Sequence, residues 1–164
     1  MKGERSSHPG QSGNMDPGVL SKVAFSLDMD PPTATAQQKR VVRGTDCFGK
    51  KIFIFKKDSV KKAESLLYYA LYPYRPKHPM KGAVELWVKW CFGFNSSHTK
   101  TLQKQGEIRN LKRPDLSNLV KILEDTMTQV GFWVDDSQIF QLHLSKWNSN
   151  EPKIEIKIHE YQIT

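Results

Sequence analysis

Apolar and polar residues alternate along several segments of the chain, which is the pattern of a half-buried strand. The first such segment begins at Lys22, and its apolar residues are Val23, Phe25, Leu27 and Met29. Pro31 and Pro32 are expected to end it. Similar apolar runs predict further strands over Arg40–Arg43, Lys51–Lys56, Ala83–Phe92, Ile139–Lys146 and Lys153–His159. A turn over Gly44–Gly49 is expected to join the first two of these into a hairpin.

The later strands are expected to turn their apolar side chains toward a core. The predicted inward residues are Val84, Leu86, Val88, Trp90, Phe92, Phe140, Leu142, Leu144, Ile154, Ile156 and Ile158. Glu85 and Lys89 fall on the opposite face of their strand, because successive side chains of a strand point to opposite sides.

Two segments instead repeat apolar residues at helical spacing. The first is expected to be capped by Asp58 or Ser59 and to stop at Pro73. The second starts near Pro114, a residue favoured in the first turn, and Gly131 suits its C-terminal cap. The apolar faces comprise Val60, Ala63, Leu67, Ala70 and Leu71 in the first helix, and Leu116, Leu119, Val120, Leu123, Met127 and Val130 in the second.

The predicted order is strand, hairpin, helix, strand, helix, strand, strand. It indicates an α+β fold, a mixed and mostly antiparallel sheet with two main helices packed on it. Residues 1–20 lack periodicity and are interpreted as a flexible tail, and residues 21–164 as a single domain. Asn95–Lys112 is predicted to be a polar loop. Phe132 and Trp133 are interpreted as core residues rather than a base-stacking platform.

The 164 residues include 25 Lys and Arg against 17 Asp and Glu, which gives a formal net charge of +8. This balance favours a polyanionic partner, with nucleic acid ahead of an anionic membrane. The hydrophobic content of 38% argues against a wholly disordered chain.

No apolar run approaches membrane-spanning length, and the first residues lead into no signal-like segment. Cys47 and Cys91 are far apart in the sequence and lack the spacing of metal ligands. A reduced intracellular protein is therefore a simpler interpretation than one with a disulfide between them. A cytosolic, cytoplasmic location is therefore expected.

Acidic residues flank the second helix. Asp115 stands near its start and Asp136 follows the turn beyond its end. If the two flanks fold toward each other, both can supply oxygen ligands to Mg²⁺, which usually takes one or two carboxylates. Such an ion would polarise a phosphate and lower the pKa of an attacking water. Lys121, on the polar face of the helix, can bind a phosphate or stabilise the negative charge that develops in the transition state.

Simpler interpretations apply to each of these residues. Asp115 can be a helix cap or can interact favourably with the helix dipole, and Asp135 and Asp136 can simply form the turn before the next strand. Lys121 and Asp125 at i,i+4 can form an ordinary surface ion pair. The basic residues of the preceding loop can be a solvated surface or a phosphate-binding segment.

A longer pattern links these positions. It consists of Arg113, Pro114, Asp115, Asn118, Leu119, Lys121, Asp125, Gly131, Asp135, Asp136 and Gln138. In this register the chain resembles the RusA family of Holliday-junction resolvases, small endonucleases common in prophages. The family pattern joins Arg/Lys-Pro-Asp-x-Asp-Asn-Leu, a lysine one turn on, a helical Asp, and Gly-x-x-x-Asp-Asp-x-Gln. Lys146 also falls where the family often has a lysine, and the resemblance is collinear over residues 22–160.

The resemblance implies a homodimeric endodeoxyribonuclease that makes paired nicks in four-way DNA junctions during recombination and repair. It implies Mg²⁺ as the cofactor, with Mn²⁺ as a substitute. The implied catalytic residues are Asp115, Lys121 and Asp136, the metal ligands Asp115, Ser117 and Asp136, and the supporting residues Ser117, Asn118, Asp125 and Asp135. The expected DNA contacts are Lys100, Lys104, Arg109, Lys112, Arg113 and Lys146.

Ser117 departs from the family pattern, which has an aspartate at this position. A serine hydroxyl can bind Mg²⁺ but contributes no negative charge, so metal affinity is expected to be weaker. Three functions stay open: a structure-specific endonuclease, a junction-binding protein that has lost cleavage, and a basic globular protein with a protein partner.

Overall fold

The structure, a computed structural model of the chain, describes residues 18–34, 39–46 and 49–163. Its strands are β1 (Val19–Leu27), β2 (Lys39–Asp46), β3 (Gly49–Lys56), β4 (Ala83–Gly93), β5 (Ile108–Arg109), β6 (Ile139–Ser149) and β7 (Lys153–Tyr161). Its helices are α1 (Asp58–Leu71), α2 (Lys100–Gln103) and α3 (Leu116–Val130), with 3₁₀ turns at Tyr72–Tyr74 and Asp136–Gln138. Residues 1–17 of the predicted tail lie outside the described residues, and β1 begins at Val19 rather than at Lys22.

The main sheet has five strands in the order β1-β7-β4-β6-β5. β4 and β6 are parallel, and the other neighbouring pairs are antiparallel. β2 and β3 form a separate antiparallel hairpin, whose strands extend further into the expected turn than predicted. The predicted α+β fold with a mixed, mostly antiparallel sheet is therefore confirmed.

Helices α1 and α3 pack together and bury their apolar faces with those of β4 and β7 in one core. The predicted face of α3 is buried apart from Leu116, which is half-buried against the core. Ile122 and Thr126 are also buried, because α3 contacts α1 as well as the sheet. Phe132 and Trp133 are 0% and 1% exposed, so both are core residues as expected.

Two predicted inward residues of β6 are exposed. Phe140 is 58% exposed and Leu142 is 41% exposed, whereas Leu144 packs against the core. A register irregularity beside Val84 interrupts the β4–β6 pairing where Phe140 lies, and the Phe140 ring instead contacts the edge of Tyr161. The alternation therefore indicated a strand correctly, but it did not determine how far the helices cover each position.

Two smaller predictions were wrong. The loop Asn95–Lys112 contains α2 and the two residues of β5. The N-cap of α1 is Lys57, without a side-chain hydrogen bond, rather than Asp58 or Ser59. α3 begins at Leu116, near Pro114 as predicted, although Pro114 itself precedes the first turn.

Cys91 is a free and buried thiol, and burial raises its pKa to about 11. Cys47 lies outside the described residues. Within the described ranges, no helix is both long enough and apolar enough to cross a membrane.

Candidate active site

Asp115 occupies the N-cap of α3 through its backbone alone. Its carbonyl oxygen accepts hydrogen bonds from the amides of Asn118 and Leu119, each at 3.1 Å. Its side chain makes no capping hydrogen bond and is exposed. The carboxylate is therefore not engaged as a helix cap, which was the simpler interpretation of this residue. Asp115 is one of the residues that line a surface cavity of about 470 Å³, together with Arg109 and Lys146.

Lys146 fixes the segment that leads into Asp115. The ammonium group of Lys146 donates hydrogen bonds to the backbone oxygens of Lys112 and Pro114, the latter at 2.7 Å. The adjacent amide of Asn110 donates to the backbone oxygen of Lys146 at 3.0 Å. Strand β6 thereby holds the start of α3 in place.

Asp135 and Asp136 have different roles in the turn after α3. Gly131 ends the helix with a φ of 93°, a left-handed conformation that glycine adopts without strain. The Asp135 carboxylate accepts a hydrogen bond from the amide of Ser137 at 2.8 Å, and its hydrogen bonds with Ser137 lower its pKa. The expected turn role therefore applies to Asp135, while the Asp136 carboxylate reaches back to the helix.

Lys121 is the centre of the acidic cluster. Its ammonium nitrogen lies 2.8 Å from Asp136 Oδ2 and 3.0 Å from Asp125 Oδ1. These hydrogen bonds, first to Asp136 and then to Asp125, hold the pKa of Lys121 above its ordinary value. The pair at i,i+4 is thus not an isolated surface ion pair, because the acid beyond the helix joins the same cation.

Asp115, Ser117 and Asn118 lie at the N-terminal end of this helical face. Among the described residues, no hydrogen bond or ion pair joins Asp115 to Lys121, Asp125 or Asp136. The carboxylates that share a cation are Asp125 and Asp136. Joint metal ligation by Asp115 and Asp136 stays a prediction.

The donor chemistry of the cluster suits a hard divalent cation. In the part of the chain that the structure describes, no group of three or more His, Cys, Asp or Glu side chains could hold a metal ion. Magnesium nevertheless often takes only one or two carboxylates, with water and phosphate completing its coordination. Asp125 and Asp136 both approach the ammonium nitrogen of Lys121, and their carboxylate oxygens are the ligand type that a hard cation prefers.

Glu124 is a nearby carboxyl that the sequence interpretation missed. Burial raises its pKa, Lys121 opposes this effect, and the charges of Asp136 and Asp125 reinforce it. Its spacing of three residues from Lys121 was the available signal, since i and i+3 side chains are neighbours on a helix.

The predicted DNA contacts are mostly solvent-exposed. Exposed side chains are found at Lys100, Lys104, Arg109, Lys112 and Arg113, and Lys146 is half-buried. Lys112 also donates a hydrogen bond to the hydroxyl of Ser97 at 2.8 Å. Arg109 lines the same cavity as Asp115, so part of this basic segment adjoins the acids.

Comparisons with known proteins agree with the pattern of these residues. Residues 30–159 match the family model described as endodeoxyribonuclease RusA. The chain is 50% identical over 48 residues to "Crossover junction endodeoxyribonuclease rusA" of Lactococcus phage r1t, a match that covers 29% of this chain and 37% of the relative. It is 36% identical over 66 residues to "Uncharacterized protein YqaN" of Bacillus subtilis strain 168, covering 40% and 46%. Each match thus spans less than half of the relative.

Proposed function

Because this chain belongs to the RusA family of endodeoxyribonucleases, we propose that it cuts four-way DNA junctions in a reaction that depends on a divalent metal. The observation that carries the proposal is the approach of Asp136, in the turn after α3, and of Asp125, on α3, to the ammonium of Lys121. This arrangement brings carboxylates and a fixed positive charge together, groups that serve metal binding and charge stabilisation in phosphodiester hydrolysis.

Asp115 and Asp136 are the proposed metal ligands, with the hydroxyl of Ser117 beside them. The bound ion, Mg²⁺ or Mn²⁺, would polarise the scissile phosphate and generate a nucleophile from water. Lys121 stays protonated, because its carboxylate partners raise its pKa, and its ammonium can bind a non-bridging phosphate oxygen. Asp125 orients that ammonium from one helical turn away.

The exposed basic residues before α3 are proposed to bind the phosphates of the junction arms. Backbone contacts of this kind position DNA without reading its sequence, so recognition would depend on the shape of the junction. We further propose a homodimer, since a two-fold axis would present one acidic cluster to each of two opposed strands.

The first prediction concerns Asp136→Asn. We expect nicking of a four-way junction in Mg²⁺ or Mn²⁺ to fall by about 100-fold or more, because the amide is a poor ligand for a hard cation. Junction affinity should be preserved, because the basic residues are unchanged. Nicking is measured with end-labelled arms on denaturing gels, and affinity is measured by gel shift in EDTA.

Asp28→Asn is the matched control. Asp28 is an exposed carboxylate just beyond the end of β1, so this variant should cut junctions at the same rate as the unaltered protein. If the unaltered protein makes no nick at high enzyme excess with either metal, the proposed activity is wrong. If Asp136→Asn cuts normally, Asp136 is not a ligand.

A second candidate function is a junction-binding protein that has lost cleavage. Ser117 favours it, because the family has a carboxylate at this exposed position in the first turn of α3. This candidate predicts tight, salt-sensitive junction binding without nicks, and cleavage restored in Ser117→Asp. This candidate would be excluded if the unaltered protein cuts the junction at a rate like that of Ser117→Asp.

A further inference from the structure

The side-chain amide of Gln138 joins two segments that are distant in sequence. Its oxygen accepts hydrogen bonds from the backbone amides of Val134 and Asp135, at 2.9 and 3.0 Å. Its nitrogen donates to the backbone oxygens of Met80 and Gly82, at 3.0 and 2.8 Å. Both hydrogens and both acceptor positions of the amide are therefore used.

The segment that contains Met80 and Gly82 is fixed independently of Gln138. The Met80 amide donates to the backbone oxygen of Phe132 at 2.9 Å. The amides of Lys81 and Gly82 donate to one carboxylate oxygen of Glu160 in β7, at 2.9 and 3.0 Å.

Gly82 also lies against the backbone of β7. A Cβ atom at this position would lie 2.1 Å from the backbone oxygen of Tyr161, so only glycine fits. The segment before β4 is thus attached to the sheet at several points and provides a rigid anchor.

We infer that Gln138 is a positioning residue that holds Asp136 at the acidic cluster, an inference that rests on the proposed function. Asp136 lies between Asp135, whose amide Gln138 binds, and Gln138 itself. Its carboxylate must reach the ammonium of Lys121 at 2.8 Å from a short 3₁₀ turn. Two hydrogen bonds within the turn and two to the fixed segment define where that turn sits relative to the start of β4.

The loss of this amide should affect both position and stability. Met80 and Gly82 are buried, so their backbone oxygens would lose a donor that water does not readily replace. Val134 and Asp135 are exposed, so water can satisfy their backbone amides when Gln138 is replaced. The turn would then remain folded but sample a wider range of positions, and a ligand on it would bind metal less well.

The test compares Gln138→Met, which has similar length and no amide, with Gln138→Asn, which keeps the amide but is too short to span both segments. Mn²⁺ binding to the full chain is measured by calorimetry, and nicking is measured over a range of Mg²⁺ concentrations. We expect Mn²⁺ affinity to fall about 10- to 100-fold in both variants, as for residues that orient metal ligands. Maximal nicking should return toward normal at saturating metal. Melting temperatures should fall, because the backbone oxygens of the buried residues Met80 and Gly82 lose their donor.

Gln141→Met is the matched control. Gln141 lies in β6, three residues after Gln138, is exposed, and its side chain contacts His143 rather than the turn. The Mn²⁺ affinity of the Gln141→Met variant should equal that of the unaltered protein.

Unchanged Mn²⁺ affinity in both Gln138 variants would overturn the inference. A lower melting temperature with normal metal affinity would also overturn it, because Gln138 would then serve stability alone. If the unaltered chain binds Mn²⁺ but never cuts junctions, the proposed function fails while the ratio of affinities still decides the role of Gln138. Absence of Mn²⁺ binding in the unaltered chain would overturn both.

Discussion

Lys146 is a predicted DNA contact whose ammonium group already has hydrogen-bond partners within the chain. In the structure this ammonium group donates hydrogen bonds to the backbone oxygens of Lys112 and Pro114. A charged donor held by two carbonyl groups has little freedom to follow a phosphate. Its principal effect is therefore expected on the position of Asp115, which follows Pro114 directly.

Lys146→Met is predicted to weaken nicking and to lower the free energy of unfolding by about 1–3 kcal/mol, as expected when hydrogen bonds from a charged group are lost. The dependence of junction affinity on salt should keep its slope, because no phosphate contact is lost. Gel shifts over a series of NaCl concentrations measure that slope, and urea unfolding measures the stability.

The comparison variant is Lys104→Met, an exposed lysine at the end of α2. If Lys104 binds a phosphate, its loss should reduce the slope of log affinity against log salt by about one. A reduced slope in Lys146→Met with normal stability would instead establish Lys146 as a DNA contact.

At the level of elements, the sequence predicted best where local pattern decides the structure. The apolar arc of α3 identified its buried face, and Gly131 identified its end. Burial of Ile122 could not be predicted, because it depends on the packing of α1 beside α3. The exposure of Phe140 was missed because strand alternation does not reveal the register irregularity beside Val84, at which Phe140 has no paired residue in β4.

In the candidate site, too, local sequence pattern predicts some contacts and not others. The pairing of Lys121 with Asp125 follows from helical spacing alone. The contact between Asp136 and Lys121 depends on the anchoring of the Asp136 turn by Gln138. The partners of Gln138, Met80 and Gly82, are 58 and 56 residues away in sequence. No local pattern encodes such contacts, so the motif indicated which residues belong together but not what holds them there.

At the scale of the whole molecule, the acidic cluster is a local exception in a chain with a net charge of +8. The excess of positive charge attracts a polyanion over distances near the Debye length, about 8 Å at physiological salt. The proposed active site is the cluster built on α3 and the turn that follows. With one such site in each chain, the proposed paired nicking requires two chains on one junction.

The final prediction tests this requirement with a mixed dimer that contains one unaltered subunit and one Asp136→Asn subunit. On a supercoiled plasmid with an extruded cruciform, the unaltered protein should give linear DNA, because two opposed strands are cut within one complex. The mixed dimer, purified with two different tags, should give nicked circles, because only one strand meets a complete site. Agarose gels separate these products, and light scattering should give twice the mass of one chain. Linear product from the mixed dimer at the unaltered rate, or the mass of a single chain on the junction, would contradict the symmetric arrangement.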